Sequence, residues 1–427
     1  MAAPRWAAAQ LRGQLRATCP VPGSKSESNR ALVLAALADG PSKLSGLLAA
    51  RDTELMIAGL RQLGVEIEVD ADQAQINPPD QFSPVPAGID CGLAGTVMRF
   101  LPALAALAPG TTKFFGDPHA SQRPLAPLLD GLAQLGVQVD ADRLPLTLSA
   151  PAQLGGPAVE IDSSASSQFI SALLLAAARY PSGLRLSHVG SSVPSLPHIE
   201  MTEQMLTARG VSVEREAMTW TVQPGKIAAL DQIIEPDLTN AAAFLAAGVV
   251  SGGSVRVPAW PTHSVQPGNL IRDVLEQMGA HPELSEDRLL VSAGEHLAGV
   301  DIDLHAASEL TPVVAGLAVF AEGVTTIRGV AHIRGHETDR LAAIAAELAA
   351  LGVAVTETAD GLRIMGRGLD PKLEPTRDFK TYADHRMAHL GALLGLRTPG
   401  LILDDVTVVT KTMPDFVARW TRMLEQR

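Results

Sequence analysis

The chain of 427 residues has only two cysteines, Cys19 and Cys91, which excludes a disulfide framework, and they have no metal-ligand spacing. Both read as small buried apolar side chains in a reducing compartment. Aromatic residues make up just 4% of the chain, and the formal net charge is −12. Nucleic-acid binding asks for a basic surface and stacking rings, and neither is present in bulk. No apolar run reaches the roughly 18 residues that a membrane-spanning helix needs. The longest, "FISALLLAAARY", stops at an arginine. The first 26 residues carry no acid, but arginines interrupt the stretch where a signal peptide would have its apolar core. The expectation is a cytoplasmic protein with no nucleic-acid and no membrane partner. With 46% apolar and 19% charged residues the chain is an ordinary globular one, and it is too long for a single core. Two or three domains are expected.

What is present is a repeat. Leu-x-x-x-Gly-Val or a near variant recurs in "LRQLGVEIEV", "LAQLGVQVDA", "LTARGVSVER", "LEQMGAHPEL" and "LAALGVAVTE", with glycines 64, 136, 210, 279 and 352 spaced 69 to 74 residues apart. A second landmark, a glycine turn before a β-rich run, occurs six times, from "ADGPSKLSG" to "TPGLILDDV". Six units of about 71 residues would fill the chain. Each reads as an alanine-rich helix, a strand, a polar loop, a second helix closing on glycine, and an alternating strand. The expected fold is therefore α/β, built from six β-α-β-α-β-β elements. Either a solenoid or two closed domains of three units fits this count. "DQIIEPDLTNAA", with its helix-start signature at Glu235-Pro236-Asp237, marks the break between the halves.

In an acidic protein, clustered cations mark sites that hold anions against the overall field. "VPGSKSESNR" sets Lys25 and Arg30 among Ser24, Ser26 and Ser28 at a helix start, where free N–H groups and the dipole attract anions. It is not a phosphate loop of the Gly-x-x-x-x-Gly-Lys type. "CGLAGTVMRF" offers Gly92 and Gly95 for close backbone approach, with Thr96 and Arg99 in the first turn. "DSSASSQF" supplies four serines within five residues, including Ser166 and Ser167, then Gln168, where capping needs one hydroxyl. "HETDR" places Glu337 and Arg340 three apart on one helix face. "DHRMAHL" starts a helix with His385 and Arg386, and "VVTKTMPDF" puts Lys411 before another. His385 and His389 have helical metal spacing but no third ligand, so no metal site is expected. Each cluster alone is explained by capping or solvated charge. Five helix starts, each with a cation (Lys25, Arg123, Arg340, Arg386, Lys411), point instead to a ligand carrying several phosphates or carboxylates. Glu309 and Glu337 are available for proton transfer.

"GSKSESNR", "LAGTVMR", "QRPL", "SSQF", "HETDR", "DHRMA" and "TKTMPDF", in this order, resemble the 5-enolpyruvylshikimate-3-phosphate synthase family of enolpyruvyl transferases from about Pro22 to Phe416. The resemblance implies a two-domain inside-out α/β barrel with three repeats per domain. It implies an N-terminal domain over 22–235, a C-terminal domain of 1–21 plus 236–427, and an active site in the cleft. The implied reaction is 3-phosphoshikimate 1-carboxyvinyl transfer: the enolpyruvyl group of phosphoenolpyruvate passes to the 5-hydroxyl of shikimate 3-phosphate and phosphate leaves. The step belongs to chorismate and aromatic amino-acid biosynthesis. By motif, Lys25, Ser26, Arg30, Ser166, Ser167, Gln168, Ser195, Glu309 and His336 would bind shikimate 3-phosphate. Lys25, Gly95, Arg123, Gln168, Arg340, Arg386 and Lys411 would bind phosphoenolpyruvate. Glu309 would be the base, and Glu337 or Lys25 the proton donor. No cofactor is expected, and the chain is expected to act as a monomer.

The chain departs from the family pattern at Glu309 (commonly Asp), His336 (commonly Lys), His332 (commonly Asn), His198 (commonly Tyr) and Leu93 (commonly Asn). His336 is expected to carry a charge that tightens acceptor binding, with its pKa raised by nearby anions. The loss of Asn at Leu93 is expected to remove a polar anchor. The related UDP-N-acetylglucosamine enolpyruvyl transferases usually carry a reactive cysteine in a mobile loop, and "GDPHASQRPL" has none. A non-catalytic anion-binding scaffold is the alternative of a different class, and the retained Glu309 and Glu337 argue against it.

Overall fold

Every repeat opens on an Ala/Leu-rich helix without a polar face, and such a helix is stable in water only when covered on all sides. The computed structural model, which describes residues 4–426, covers all six. They are α1 (Lys25–Ala36), α2 (Gly95–Ala105), α3 (Gln168–Ala177), α4 (Leu238–Val250), α5 (Thr311–Phe320) and α6 (His385–Gly395). Each residue of α2 and of α5 is buried. The second helix of a repeat is one-sided instead: Arg51–Gln62 buries Met56, Ile57 and Leu60 and exposes Arg51, Glu54 and Arg61.

The chain forms two units, Gly23–Ile234 (the middle unit) and a terminal unit made of residues up to Pro22 with those from Glu235 onward. In the middle unit α1, α2 and α3 are surrounded by three four-stranded sheets, so the helices lie inside and the strands outside. Each sheet has one parallel pair followed by an antiparallel hairpin. In one of them Ile89–Asp90 runs parallel to Gly110–Phe115, and the helix α2 between them makes the crossover that parallel pairing requires. The unit closes on itself because its last strand, Gln232–Ile233, runs parallel to its first, Ser42–Ser45, with Gln232 opposite Leu44.

The terminal unit closes through the other end of the chain. Arg16–Thr18 runs parallel to Ser254–Pro258, with Ala17 opposite Val255. Two of its sheets have four strands. The third is a ribbon of Trp6–Ala7 with Ile402–Leu403, extended by a parallel bridge between Phe379 and Leu403. The sixth repeat is thus abbreviated: its outer helix, Phe416–Glu425, is followed by no hairpin among the described residues.

The recurring glycine that closes each second helix has a positive φ every time, +103° at Gly64, +91° at Gly136, +77° at Gly210, +97° at Gly279 and +77° at Gly352. This is the left-handed helix cap that disfavours any side chain, which explains the repeat's most regular letter. At the carbonyl ends of the inner helices, arginines at matching places supply donors. Arg179 reaches Leu37 O at 2.5 Å beyond α1, and Arg397 reaches Val250 O at 3.1 Å at the end of α4. Cys19 and Cys91 are both buried. No helix among the described residues is long and apolar enough to cross a membrane.

Candidate active site

In the middle unit, the starts of the three inner helices are tied to one another. Ser24 caps α1 by accepting the Glu27 N–H at 3.4 Å, and Ser28 accepts Leu48 N–H at 3.1 Å. Asn29 Nδ2 donates to Thr96 Oγ1 of α2 at 2.5 Å. Arg30 is 1% exposed and lies 5.2 Å from the Phe100 ring centre. Its Nε donates to Thr202 Oγ1 (2.8 Å), Nη1 to Ser26 O (2.9 Å), and Nη2 to Ser171 Oγ (3.2 Å) and His198 O (3.0 Å). Four of a guanidinium's five N–H donors are therefore used inside the unit. Burial lowers the Arg30 pKa to about 9, although the Glu27 charge opposes the shift.

Lys25 Nζ lies 3.4 Å from the buried Asp52. At α3, Ser166 Oγ accepts the Gln168 N–H at 3.3 Å, and Ser167 is buried at the cap position. Arg99 Nη1 donates to Gln168 Oε1 at 2.6 Å, leaving the amide NH2 as the part of Gln168 that can donate to a ligand. Ser195 is buried with φ +50°, a left-handed strain in a non-glycine residue that is characteristic of functional loops. Arg123 follows the short turn Pro118–Gln122, and its Nη1 donates to Leu93 O at 2.9 Å. A Cβ at Gly95 would lie 2.9 Å from Arg123 Nη2, so only glycine lets this guanidinium rest against the start of α2.

The terminal unit gathers its charges differently. Glu337 is a carboxylate between two cations: Oε2 accepts from Arg340 Nη2 at 2.8 Å, and Oε1 accepts from Lys411 Nζ. Arg340 is 1% exposed and also grips Asp384, Nε to Oδ2 at 2.7 Å and Nη2 to Oδ1 at 3.3 Å. Burial pulls the Arg340 pKa down, but Asp384 and Glu337 outweigh it and hold it above the usual arginine range. Asp384 Oδ1 accepts the Arg386 N–H at 2.9 Å, which caps α6. The Arg386 pKa is lowered, first by burial and then by the Arg340 charge, and Glu309, Asp237 and Asp384 only partly offset this. Glu309 lies on the turn His305–Leu310 immediately before α5, close enough for its charge to act on His332, His336, Arg340 and Arg386. Among the described residues no group of three or more His, Cys, Asp or Glu is placed to hold a metal ion.

Several expectations need correction. Glu337 and Arg340 do pair, but not on one helix: the helix begins at Arg340, with Asp339 as its cap. Arg123 and Lys411 do not start helices; each sits at the end of a short 3-10 turn. At Leu93 the backbone carbonyl accepts from Arg123 Nη1, a contact that does not depend on the side chain there. His336 is not a cation whose pKa is raised. Arg340 Nη1 lies 3.0 Å from His336 Nδ1, and a guanidinium can only donate, so Nδ1 is bare. Burial, then the Arg340 charge, push its pKa well below 6.5. His336 is neutral and offers Nε2–H as a donor. His332, bonded to Ser308 Oγ at 2.8 Å, is lowered to about 4, chiefly by burial.

Arg99, Asp384 and Thr202 had no assigned role in the sequence reading, yet they orient Gln168, Arg340 and Arg30. Asp384 carried a legible signal, an aspartate directly before a helical run. Thr202 carried none.

Buried helix starts with cations beside them recur in two units of one α/β plan, an arrangement that attracts anions. A family model described as EPSP synthase (3-phosphoshikimate 1-carboxyvinyltransferase) matches residues 9–420. A solved EPSP synthase structure from Acinetobacter baumannii is similar at a TM-score of 0.80 and 24% identity, covering 98% of this chain and 98% of that one. A second, from the same organism, gives 0.79 and 23% with the same coverage. The chain belongs to the EPSP synthase family. It is a transferase, and its reaction is the enolpyruvyl transfer from phosphoenolpyruvate to shikimate 3-phosphate in the shikimate pathway.

Proposed function

We propose that the residues at the inner-helix starts carry this transfer, with phosphoenolpyruvate held by Lys25, Gly95, Arg123, Gln168, Arg340, Arg386 and Lys411. Shikimate 3-phosphate is held by Lys25, Ser26, Arg30, Ser166, Ser167, Gln168, Ser195, Glu309 and His336. The observation that carries this reading is the pair Arg340 and Lys411 sharing one carboxylate, Glu337, with the buried Arg386 close enough to Arg340 for that charge to lower its pKa. An arginine whose pKa is pushed down by burial and a neighbouring cation gains when an anion arrives. Arg30, with one N–H still unused, contributes charge more than new hydrogen bonds.

The chemistry follows from the same contacts. Addition needs a proton on the vinyl carbon and removal of the 5-hydroxyl proton. Glu309 takes the hydroxyl proton, and His336, as a neutral N–H donor, fixes the acceptor's oxygens. An incoming phosphate competes with Glu337 for Arg340 and Lys411. A carboxylate relieved of its cations takes up a proton more readily, so binding prepares Glu337 as the acid, with Lys25 as the other candidate. Collapse of the tetrahedral phospholactoyl adduct expels phosphate onto the same cations. The protein works without metal or nucleotide, as a cytoplasmic monomer with no nucleic-acid partner. Phosphate release is the test: shikimate 3-phosphate should support turnover, UDP-N-acetylglucosamine should not, and Arg386→Ala should raise the phosphoenolpyruvate KM by two orders of magnitude or so, about 3 kcal/mol. Turnover with the nucleotide sugar instead, or an unchanged KM in the variant, would refute the reading.

A further inference from the structure

The segment 377–383 leads into Asp384 and α6, and it is anchored by a carboxylate outside the proposed binding set. Glu347 is 1% exposed on the helix Arg340–Ala350, and a buried carboxylate needs partners. It accepts four hydrogen bonds from three residues of this segment: Arg377 Nη2 to Oε1 at 2.7 Å, Arg377 Nη1 to Oε2 at 2.8 Å, Lys380 N–H to Oε2 at 3.1 Å, and Tyr382 Oη to Oε1 at 2.7 Å. From elsewhere, Asp404 Oδ1 accepts Thr381 N–H at 2.9 Å and Thr381 Oγ1 at 3.0 Å. The next two residues, Tyr382 (φ +54°) and Ala383 (φ +55°), are both left-handed without being glycine. Such strain persists only where the surroundings over-determine it. Directly after it, Asp384 grips Arg340 and caps α6 at Arg386. Arg340 and Glu347 belong to one helix, seven residues apart, so both face the same segment about two turns from each other. The helix thus holds the segment on either side of the strained turn, by Glu347 before it and by Arg340 after it.

We propose that Glu347 and Tyr382 are positioning residues for phosphoenolpyruvate binding: their hydrogen bond holds the left-handed Tyr382–Ala383 turn that sets Asp384, and through it the guanidinium of Arg340 and the placement of Arg386. The inference rests on the reading that Arg340 and Arg386 bind phosphoenolpyruvate. Burial first, and then the bond to Glu347, raise the Tyr382 pKa to about 12, so the phenol remains a donor throughout the working range.

The decisive variant is Tyr382→Phe, which keeps the ring and removes one O–H, with Glu347→Gln and Arg386→Lys beside it. Phosphate release is measured with each substrate varied in turn, together with urea unfolding. Tyr382→Phe should raise the phosphoenolpyruvate KM about tenfold or more, the worth of one hydrogen bond to a charged group, with kcat and the shikimate 3-phosphate KM within about twofold. Glu347→Gln should do the same or more. If Arg386→Lys raises that KM and Tyr382→Phe leaves it unchanged, the positioning role is wrong. A Tyr382→Phe protein with a lower unfolding midpoint and both KM values unchanged overturns it too, as a staple without a catalytic consequence. If Arg386→Lys itself has no effect, the site reading fails instead. Should Glu347→Gln not fold, Tyr382→Phe decides alone.

Discussion

Arg30 and Arg340 are equally buried, each 1% exposed, but they answer to different partners. Arg30 in the middle unit donates to two hydroxyls and two backbone carbonyls, and Arg123 to another carbonyl. Arg340 in the terminal unit donates to two carboxylates, and Lys411 shares one of them. Neutral oxygens aim a guanidinium without cancelling its charge, so burial lowers the Arg30 pKa with only the Glu27 charge opposing it. Carboxylates aim it and cancel part of the charge, and the Arg340 pKa rises. One plan, an inside-out bundle with helix starts at its working end, therefore yields two electrostatic instruments. The middle unit holds its buried arginine among neutral oxygens. On the proposed reading, an arriving phosphate displaces the terminal unit's Glu337 from Arg340 and Lys411.

The largest effect should come from removing a counter-charge in the terminal unit. Asp384→Ala leaves Arg340 buried with one carboxylate fewer and takes the cap from α6. Breaking a buried pair in this way should cost about 3–5 kcal/mol in urea unfolding. The matching change in the middle unit is Thr202→Val, which deletes the neutral acceptor of Arg30 Nε while keeping shape. It should cost less, about 1–3 kcal/mol, the range for leaving one buried donor without a partner. Equal losses in the two variants would erase the distinction between the units.

Much of this fold was legible. The inner helices declare themselves by having no polar face, and the glycine of Leu-Gly-Val by a cap that needs positive φ. The abbreviated sixth sheet was not legible, because its strands, Trp6–Ala7 and Ile402–Leu403, are two residues each and far apart in the chain. At the candidate site, the starts of α1, α2, α3 and α6 could be found from capping residues and glycines. The contents of Arg30's surroundings could not, because a cation among serines looks the same whether it meets a ligand or Thr202, 172 positions away. The protonation of His336 was misread for the same kind of reason: its charge is decided by Arg340 Nη1 at its Nδ1, a contact that spacing does not reveal.

The smallest effect expected is a change of slope with pH, and it belongs to the terminal unit. His332, His336 and His389, all held neutral by burial in the first place, lie there. His389 is the cleanest: fully buried on α6, stacked on Phe416 with ring centres 4.7 Å apart, and lowered to about 3 by burial and then by Arg386. Below pH about 6.5 the unfolded chain protonates such a histidine and the folded one does not. The unfolded state then binds more protons, so stability is full above that pH and falls as the pH drops toward the folded value. Each such histidine contributes up to about 1.4 kcal/mol per pH unit in that window. His389→Phe keeps an aromatic ring against Phe416 and removes the titrating group. Overpacking by the larger ring would shift absolute stability at every pH alike, so the slope is the readout. Between pH 6.5 and 5.5 the variant should lose about 1 kcal/mol less than the wild type in urea unfolding. Parallel curves for the two proteins would show that His389 is protonated in the fold despite its burial, and would remove it from the set that makes the terminal unit acid-sensitive.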